Sequence, residues 1–168
     1  KTPEFSNILD SLEEKEINFF KDQYELPSEI KFKFLNNEKK LIFPFDWNDK
    51  NLPRLWVFNL HYFDWTREWV DKEWNNQIFN KRKLFFIKIL INDWIDNNQI
   101  GLGDGWHSYT ISLRIRNLIW LYRVFPTLRS KKFISSLWEQ LVWLNRNLEF
   151  HHSGNHLIKN LISLAIGS

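Results

Sequence analysis

The chain has 168 residues, 43% of them hydrophobic, which is enough for one domain with a real core and argues against a disordered chain. Ten Trp, fifteen Phe and four Tyr against five Gly and five Pro exclude collagen-like, low-complexity and turn-dense all-β classes, while the absence of Cys excludes disulfide frameworks, thiolate metal sites and thiol catalysis. The net charge of +3 hides an asymmetry: residues 1–50 carry −3, residues 51–104 are neutral and residues 105–168 carry +6, which favours an anionic partner or a set of solvated basic helix faces.

Taken in chain order, about residues 4–20 read as an amphipathic helix with Ser6 as N-cap and Ile8, Leu9, Leu12, Ile17 and Phe20 toward one side. Ile30, Phe32 and Phe34 then alternate with lysines, Asn36-Asn37 offers turn chemistry and Leu41-Ile42-Phe43 follows, so a short β-hairpin is expected near residues 30–43. Pro44 and Pro53 bracket a loop. Beyond it the expected helices span about 61–74, 80–98, 109–124 and 130–148, with a fifth starting near Asn155. The second stops at the turn formers Gly101, Gly103, Asp104 and Gly105, the third before Pro126, and Ser130 caps the fourth. The fold class is mostly all-α, and helices joined by short loops fit a bundle, a solenoid or a closed toroid of helix pairs.

The greasiest stretch, Leu84 to Ile91, is cut by Lys88 and falls short of the roughly 20 residues of a spanning helix, so no membrane span is expected. Without a dense basic stripe, zinc spacing or an aromatic RNA-binding motif, no nucleic-acid partner is expected. The numbering begins at Lys1 with no Met and no visible signal peptide, and apolar residues Leu157 to Ala165 recur at helical spacing just before the last residue. The expectation is a front piece of something larger, with the remainder of its own chain as one partner.

Three clusters carry chemistry. The first is Glu149-Phe150-His151-His152-Ser153-Gly154-Asn155-His156. Its histidines raise a metal site as a first thought, but Ser153-Gly154 reads as a helix start and no third ligand stands at a standard spacing, so no metal site is expected. With Ser153 or Gly154 as N-cap, Asn155 and His156 fall in a first helical turn, beside unpaired N–H groups that welcome an anion; alternatively they satisfy only local backbone. The second cluster runs from Gly103 through Trp106, His107 and Tyr109 into a helix with an apolar stripe of Ile111, Ile115, Leu118 and Tyr122. Arg114 and Asn117 flank that stripe three residues apart, so both could project into one cleft, where an Arg fork suits a carboxylate; the commoner role of such an Arg is a surface ion pair. The third is the aromatic group from Trp56 to Trp69, including His61 and Tyr62, whose rings suit a core or the face of a sugar equally.

The strings Leu55-Trp56-Val57-Phe58-Asn59-Leu60-His61-Tyr62-Phe63-Asp64, Gly105-Trp106-His107-Ser108-Tyr109-Thr110-Ile111-Ser112-Leu113-Arg114-Ile115-Arg116-Asn117, and Leu148-Glu149-Phe150-His151 leading to Gly154-Asn155-His156-Leu157 resemble the N-terminal helical domain of the heparinase II/III and alginate lyase family. The resemblance covers most of the chain from Leu55 onward and little before it. It implies residues 1–53 as an N-terminal helix, hairpin and linker, and residues 54–168 as the first helices of an incomplete (α/α) toroid, normally followed by a β-sandwich. The implied activity is β-elimination on an acidic, uronic-acid-containing polysaccharide. Asn155 and His156 take the catalytic role of neutralising the sugar carboxylate, and Arg114, Trp106, His107, Tyr109, Asn117, His61 and Tyr62 are the substrate-binding candidates. The family's catalytic Tyr and a further His come later than Ser168, so this chain alone is expected to be inactive. No cofactor is evident, a metal farther along the chain being left open, and the resemblance favours a periplasmic or secreted location. Lys159 departs from the family pattern Gly-Asn-His-x-x-Glu-Asn, reversing a charge one turn from Asn155, although Asn160 is kept. Two other readings stand beside the lyase: an anionic-glycan-binding domain without elimination, and a helical interaction scaffold, which would be favoured if Asn155, His156 and Arg114 face apart.

Overall fold

A computed structural model describes residues 29–71, 77–148 and 155–167. The helix expected over 4–20, the segment 149–154 with His151 and His152, and the side chain of Asn155 lie outside the described residues. What is described is mostly helical with one small antiparallel sheet.

The hairpin pairs β1 (Glu29–Phe34) with β2 (Asn37–Ile42) in the register Phe32↔Lys39 and Phe34↔Asn37. Alternation decides its faces: Phe32 and Leu41 are buried while Lys31, Lys33 and Lys40 point to water. The turn sits one residue earlier than Asn36-Asn37, on Leu35 and Asn36, with φ of 53° and 58°. Both values belong to the two-residue turn whose twist matches the strands, and Asn37 is thereby freed to pair with Phe34.

Among the described residues six α-helices follow: α1 (Arg54–Tyr62), α2 (Asp64–Asp71), α3 (Gln77–Asn97), α4 (Ser108–Val124), α5 (Lys131–Arg146) and α6 (Asn155–Gly167). Ser130 caps α5 as expected, its Oγ accepting from Phe133 N at 3.0 Å. The helix expected over 61–74 is instead the end of α1 and a separate α2, broken at Phe63, which takes φ 63° without being a glycine. Helix α4 is the hub, with α1, α2, α5 and α6 packed on it. Ile111, Ile115 and Leu118 are buried on its expected stripe, but Thr110, Ser112, Arg114 and Asn117 are buried too, so this helix is enclosed on nearly all sides. Small side chains permit that: Ser163 of α6 reaches Ser112 O at 2.7 Å.

Helix α6 turns polar residues inward and apolar ones outward. Its polar Asn160 and Ser163 are buried, while Ile158, Leu161 and Ile162 are exposed. The core itself is aromatic. Trp47, Trp56, Trp65, Trp94 and Trp106 are all buried, and each indole N–H has an acceptor: Asp93 Oδ2 (2.7 Å), Asn37 O (3.0 Å), Leu60 O (3.1 Å), His61 Nδ1 (2.9 Å) and Asn98 O (3.3 Å) respectively. Satisfying these donors is what lets so many indoles be buried without the desolvation cost of an unmade bond. Edge-to-face contacts tie the hairpin to the helices through Phe34–Trp56 (4.8 Å) and Phe32–Trp65 (5.5 Å).

Candidate functional site

The end of α1 organises everything nearby. A helix leaves its last carbonyls without intrahelical partners, and here side chains from α2 and α4 supply them. Leu60 O accepts from Trp65 Nε1 (3.1 Å), His61 O from Arg114 Nη1 (3.3 Å), Tyr62 O from Asn117 Nδ2 (2.8 Å) and Phe63 O from Thr66 Oγ1 (2.7 Å). The i, i+3 spacing of Arg114 and Asn117 thus serves two successive carbonyls of α1 and not a cleft.

Four expected substrate-binding residues are corrected by this arrangement. His61, Trp106, Arg114 and Asn117 are all buried, so none offers a surface to a polysaccharide. Arg114 lies with its guanidinium 4.0 Å over the Trp94 ring and donates from Nε to Gln140 Oε1 at 2.8 Å. Burial lowers its pKa, yet a guanidinium keeps its proton in proteins, so the centre of the core holds a charge. His61 Nδ1 accepts from Trp94, which puts its proton on Nε2; burial and the neighbouring Arg114 push its pKa down to about 3, so the ring is neutral. Among the described residues, His61 Nε2 and Arg114 Nη2 have no hydrogen-bond partner. Gly105 is required here by space, because a Cβ would stand 2.9 Å from the His61 ring.

Three of the other expected residues come together on the surface. Tyr62 from α1, Tyr109 from the first turn of α4 and His156 from the first turn of α6 are each half-buried. The His156 ring stacks on Tyr109 with centroids 4.2 Å apart and 27° between planes, and Tyr62 meets Tyr109 edge-on at 6.0 Å. Phe58 stands one turn before Tyr62 on the same side of α1 and contacts His107 at 5.8 Å. Arg54, one turn earlier still, lies 5.1 Å over Phe58 and makes a fork-like contact with Asp104 through Nε and Nη2. Burial, then Tyr109, then Asp64 push the Tyr62 pKa up to about 12, so at neutral pH its hydroxyl is a donor. Asn155 opens α6, which puts it and His156 in the first turn as expected, beside N–H groups at the positive end of the helix.

This arrangement can stack a flat ring and donate hydrogen bonds to an anion. Gln140 is the residue that sequence reasoning missed, while Phe58 was read within the aromatic group from Trp56 to Trp69. Gln140 was readable, being a polar residue in line with Phe133, Ser136 and Leu144 on the buried stripe of α5. Among the described residues no group of three or more His, Cys, Asp and Glu could hold a metal ion, and no helix is long and apolar enough to cross a membrane. No family model, curated protein or solved structure matches this chain.

Proposed function

We propose that this chain is part of a polysaccharide lyase, the opening helices of an (α/α) toroid whose face at Tyr62, Tyr109 and His156 receives an acidic, uronic-acid-containing polysaccharide. Support comes from the three ordered strings of the lyase resemblance. The observation that carries the reading is the stack of His156 on Tyr109 in the opening turn of α6, with Tyr62 edge-on beside it.

The chemistry gives these groups a task. β-Elimination removes the C5 proton of a uronic acid and expels the C4 oxygen, and the proton is only weakly acidic while the adjacent carboxylate keeps its charge. Removing it builds an enolate-like dianion, so donors aimed at that carboxyl group stabilise charge that develops in the transition state. Asn155 contributes amide N–H groups without a charge, and His156 donates from its ring. The aromatic face holds the sugar, and Tyr62, protonated at neutral pH, donates to a hydroxyl or ring oxygen. The proton acceptor and the remaining His belong to the family's later segment, so the 168 residues alone turn over no substrate, and these residues call for no cofactor.

The test is Asn155→Ala in a protein that carries these residues together with the later Tyr and His. Turnover, read as ultraviolet absorbance of the unsaturated product, falls by roughly 10²–10³ if the side chain serves the developing anion; unchanged turnover removes Asn155 from that role. Release of unsaturated uronide by the 168-residue chain itself would refute the division of labour.

A second reading, a helical interaction scaffold, is favoured by one specific observation. Arg114 is enclosed in the core, away from the surface that carries His156, while Trp138, Ile158 and Leu161 are 66%, 55% and 49% exposed. Lys159, by reversing a charge one turn from Asn155, favours a glycan held without elimination. A glycan titration separates the scaffold from both glycan readings, and the Asn155→Ala assay separates those two from each other.

A further inference from the structure

The face depends on a turn that is difficult to make. Phe63 links α1 to α2 at φ 63°, a backbone conformation that an L side chain adopts only when its surroundings over-determine it. One buried side chain spans that turn from both ends. Asn117 Nδ2 donates one hydrogen to Tyr62 O at 2.8 Å, just before Phe63, and the other to Asp64 Oδ1 at 2.8 Å, just after it. Its Oδ1 accepts from Arg67 Nε at 2.6 Å, one turn into α2. Two donors and an acceptor on one short side chain is what a carboxamide offers and a carboxylate or hydroxyl does not. Asn117 also sits on the hub helix α4, eight residues after Tyr109, so the clamp and the ring that Tyr62 meets ride on the same rigid element.

We propose that Asn117 is a positioning residue: by locking the Phe63 turn from both sides it fixes the Tyr62 ring against Tyr109 and thereby sets the shape of the aromatic face. This rests on the glycan reading for its biological use, but not for its geometry. Without the clamp the end of α1 frays, Tyr62 swings toward solvent and Asp64 is no longer held beside it.

The test uses the full chain with ¹³C-labelled tyrosine, the Tyr62 signal being assigned by Tyr62→Phe. In the wild type the Tyr62 and Tyr109 rings give mutual contacts in nuclear Overhauser spectra at neutral pH, and Tyr62 stays protonated at about pH 10, where an ordinary tyrosine is half ionised. Asn117→Asp, which keeps the acceptor for Arg67 but loses the donors, removes those ring contacts and brings the Tyr62 midpoint down toward about 10. Arg67→Gln, which spares the bond to Tyr62, and Leu118→Ala, a buried neighbour on α4 with no link to the turn, lower stability without moving Tyr62. If Asn117→Asp does not fold, it is combined with Asp64→Asn and compared with Asp64→Asn alone, so that of the three contacts only the one to Tyr62 is lost; the ring contacts then disappear only in the combined variant. Unaltered ring contacts on loss of the Asn117 donors, or an equal change in Leu118→Ala, would overturn the proposal. Failure of the wild type to bind an acidic glycan would sink the functional reading and leave this result standing.

Discussion

His61 and Tyr62 are consecutive residues at the end of α1, yet one is sealed beneath Trp94 and Arg114 and the other stands half-exposed against Tyr109. The same cause, burial, leads both shifts in opposite directions, lowering the imidazole to about 3 and raising the phenol to about 12, so both rings are neutral at pH 7. What differs is the use. The interior ring is a fixed acceptor for the Trp94 indole N–H, and the surface ring is a donor available to a ligand. The break at Phe63, one residue on, ends α1 where these two surroundings divide.

The interior side is broken most severely at Trp94, whose indole both donates to His61 and lies under Arg114. Trp94→Ala is expected to cost about 3–5 kcal/mol in urea unfolding; a loss below about 1 kcal/mol would mean that this indole is not central. Arg114→Met comes next, at about 2–3 kcal/mol, because His61 O and Gln140 Oε1 are left without their donor. Adding Gln140→Leu removes one of those orphaned acceptors, so the double variant should lose less than the two single losses combined, a coupling that a double-mutant cycle measures.

The four later helices were legible because each carries apolar periodicity and Gly101, Pro126 and Ser130 mark ends among them, whereas residues 54–71 form two helices where one was expected over 61–74. The hairpin was legible from alternation, apart from a turn displaced by one residue. The break at Phe63 was not, since neither Gly nor Pro marks it and its support comes from Asn117 and Arg114 more than 50 residues away. For the same reason Arg114 and Asn117 read as cleft residues: their spacing places them on one side of α4 but says nothing about which neighbour that side meets. Tyr62, Tyr109 and His156 were each singled out, and only the packing of α1, α4 and α6 brings them together.

Acid sharpens the comparison with a smaller effect. The His61 pKa in the folded state lies below its unfolded value of about 6.5, so the unfolded chain binds the extra proton. Its contribution is therefore fully present above about pH 6.5 and is lost as pH falls toward about 3, with a slope of at most about 1.4 kcal/mol per pH unit. Asp93, raised by burial, acts in the opposite sense at the acid end, so the clearest window is the upper part of that range. His61→Gln should flatten the slope there; an unchanged slope would assign acid sensitivity to another group.

The surface side has the smallest effect on folding. Tyr109→Ala should cost about 1 kcal/mol in stability, since its ring is half-exposed and its contacts with His156 and Tyr62 are worth only about 0.5–1.5 kcal/mol each. Its effect on glycan affinity should be larger in proportion, about tenfold for a stacking contact of about 1.4 kcal/mol. Equal affinity in wild type and variant would move the glycan off this face.

The most direct measurement is a nuclear magnetic resonance titration of the full chain with a short uronic-acid oligosaccharide, following backbone amides and aromatic rings together. Shifts concentrated at Tyr62, Tyr109, Asn155 and His156, with His61 and Trp94 unmoved, are the predicted result. No shifts at millimolar oligosaccharide, or shifts centred instead on Trp138 and Ile158, would contradict the account.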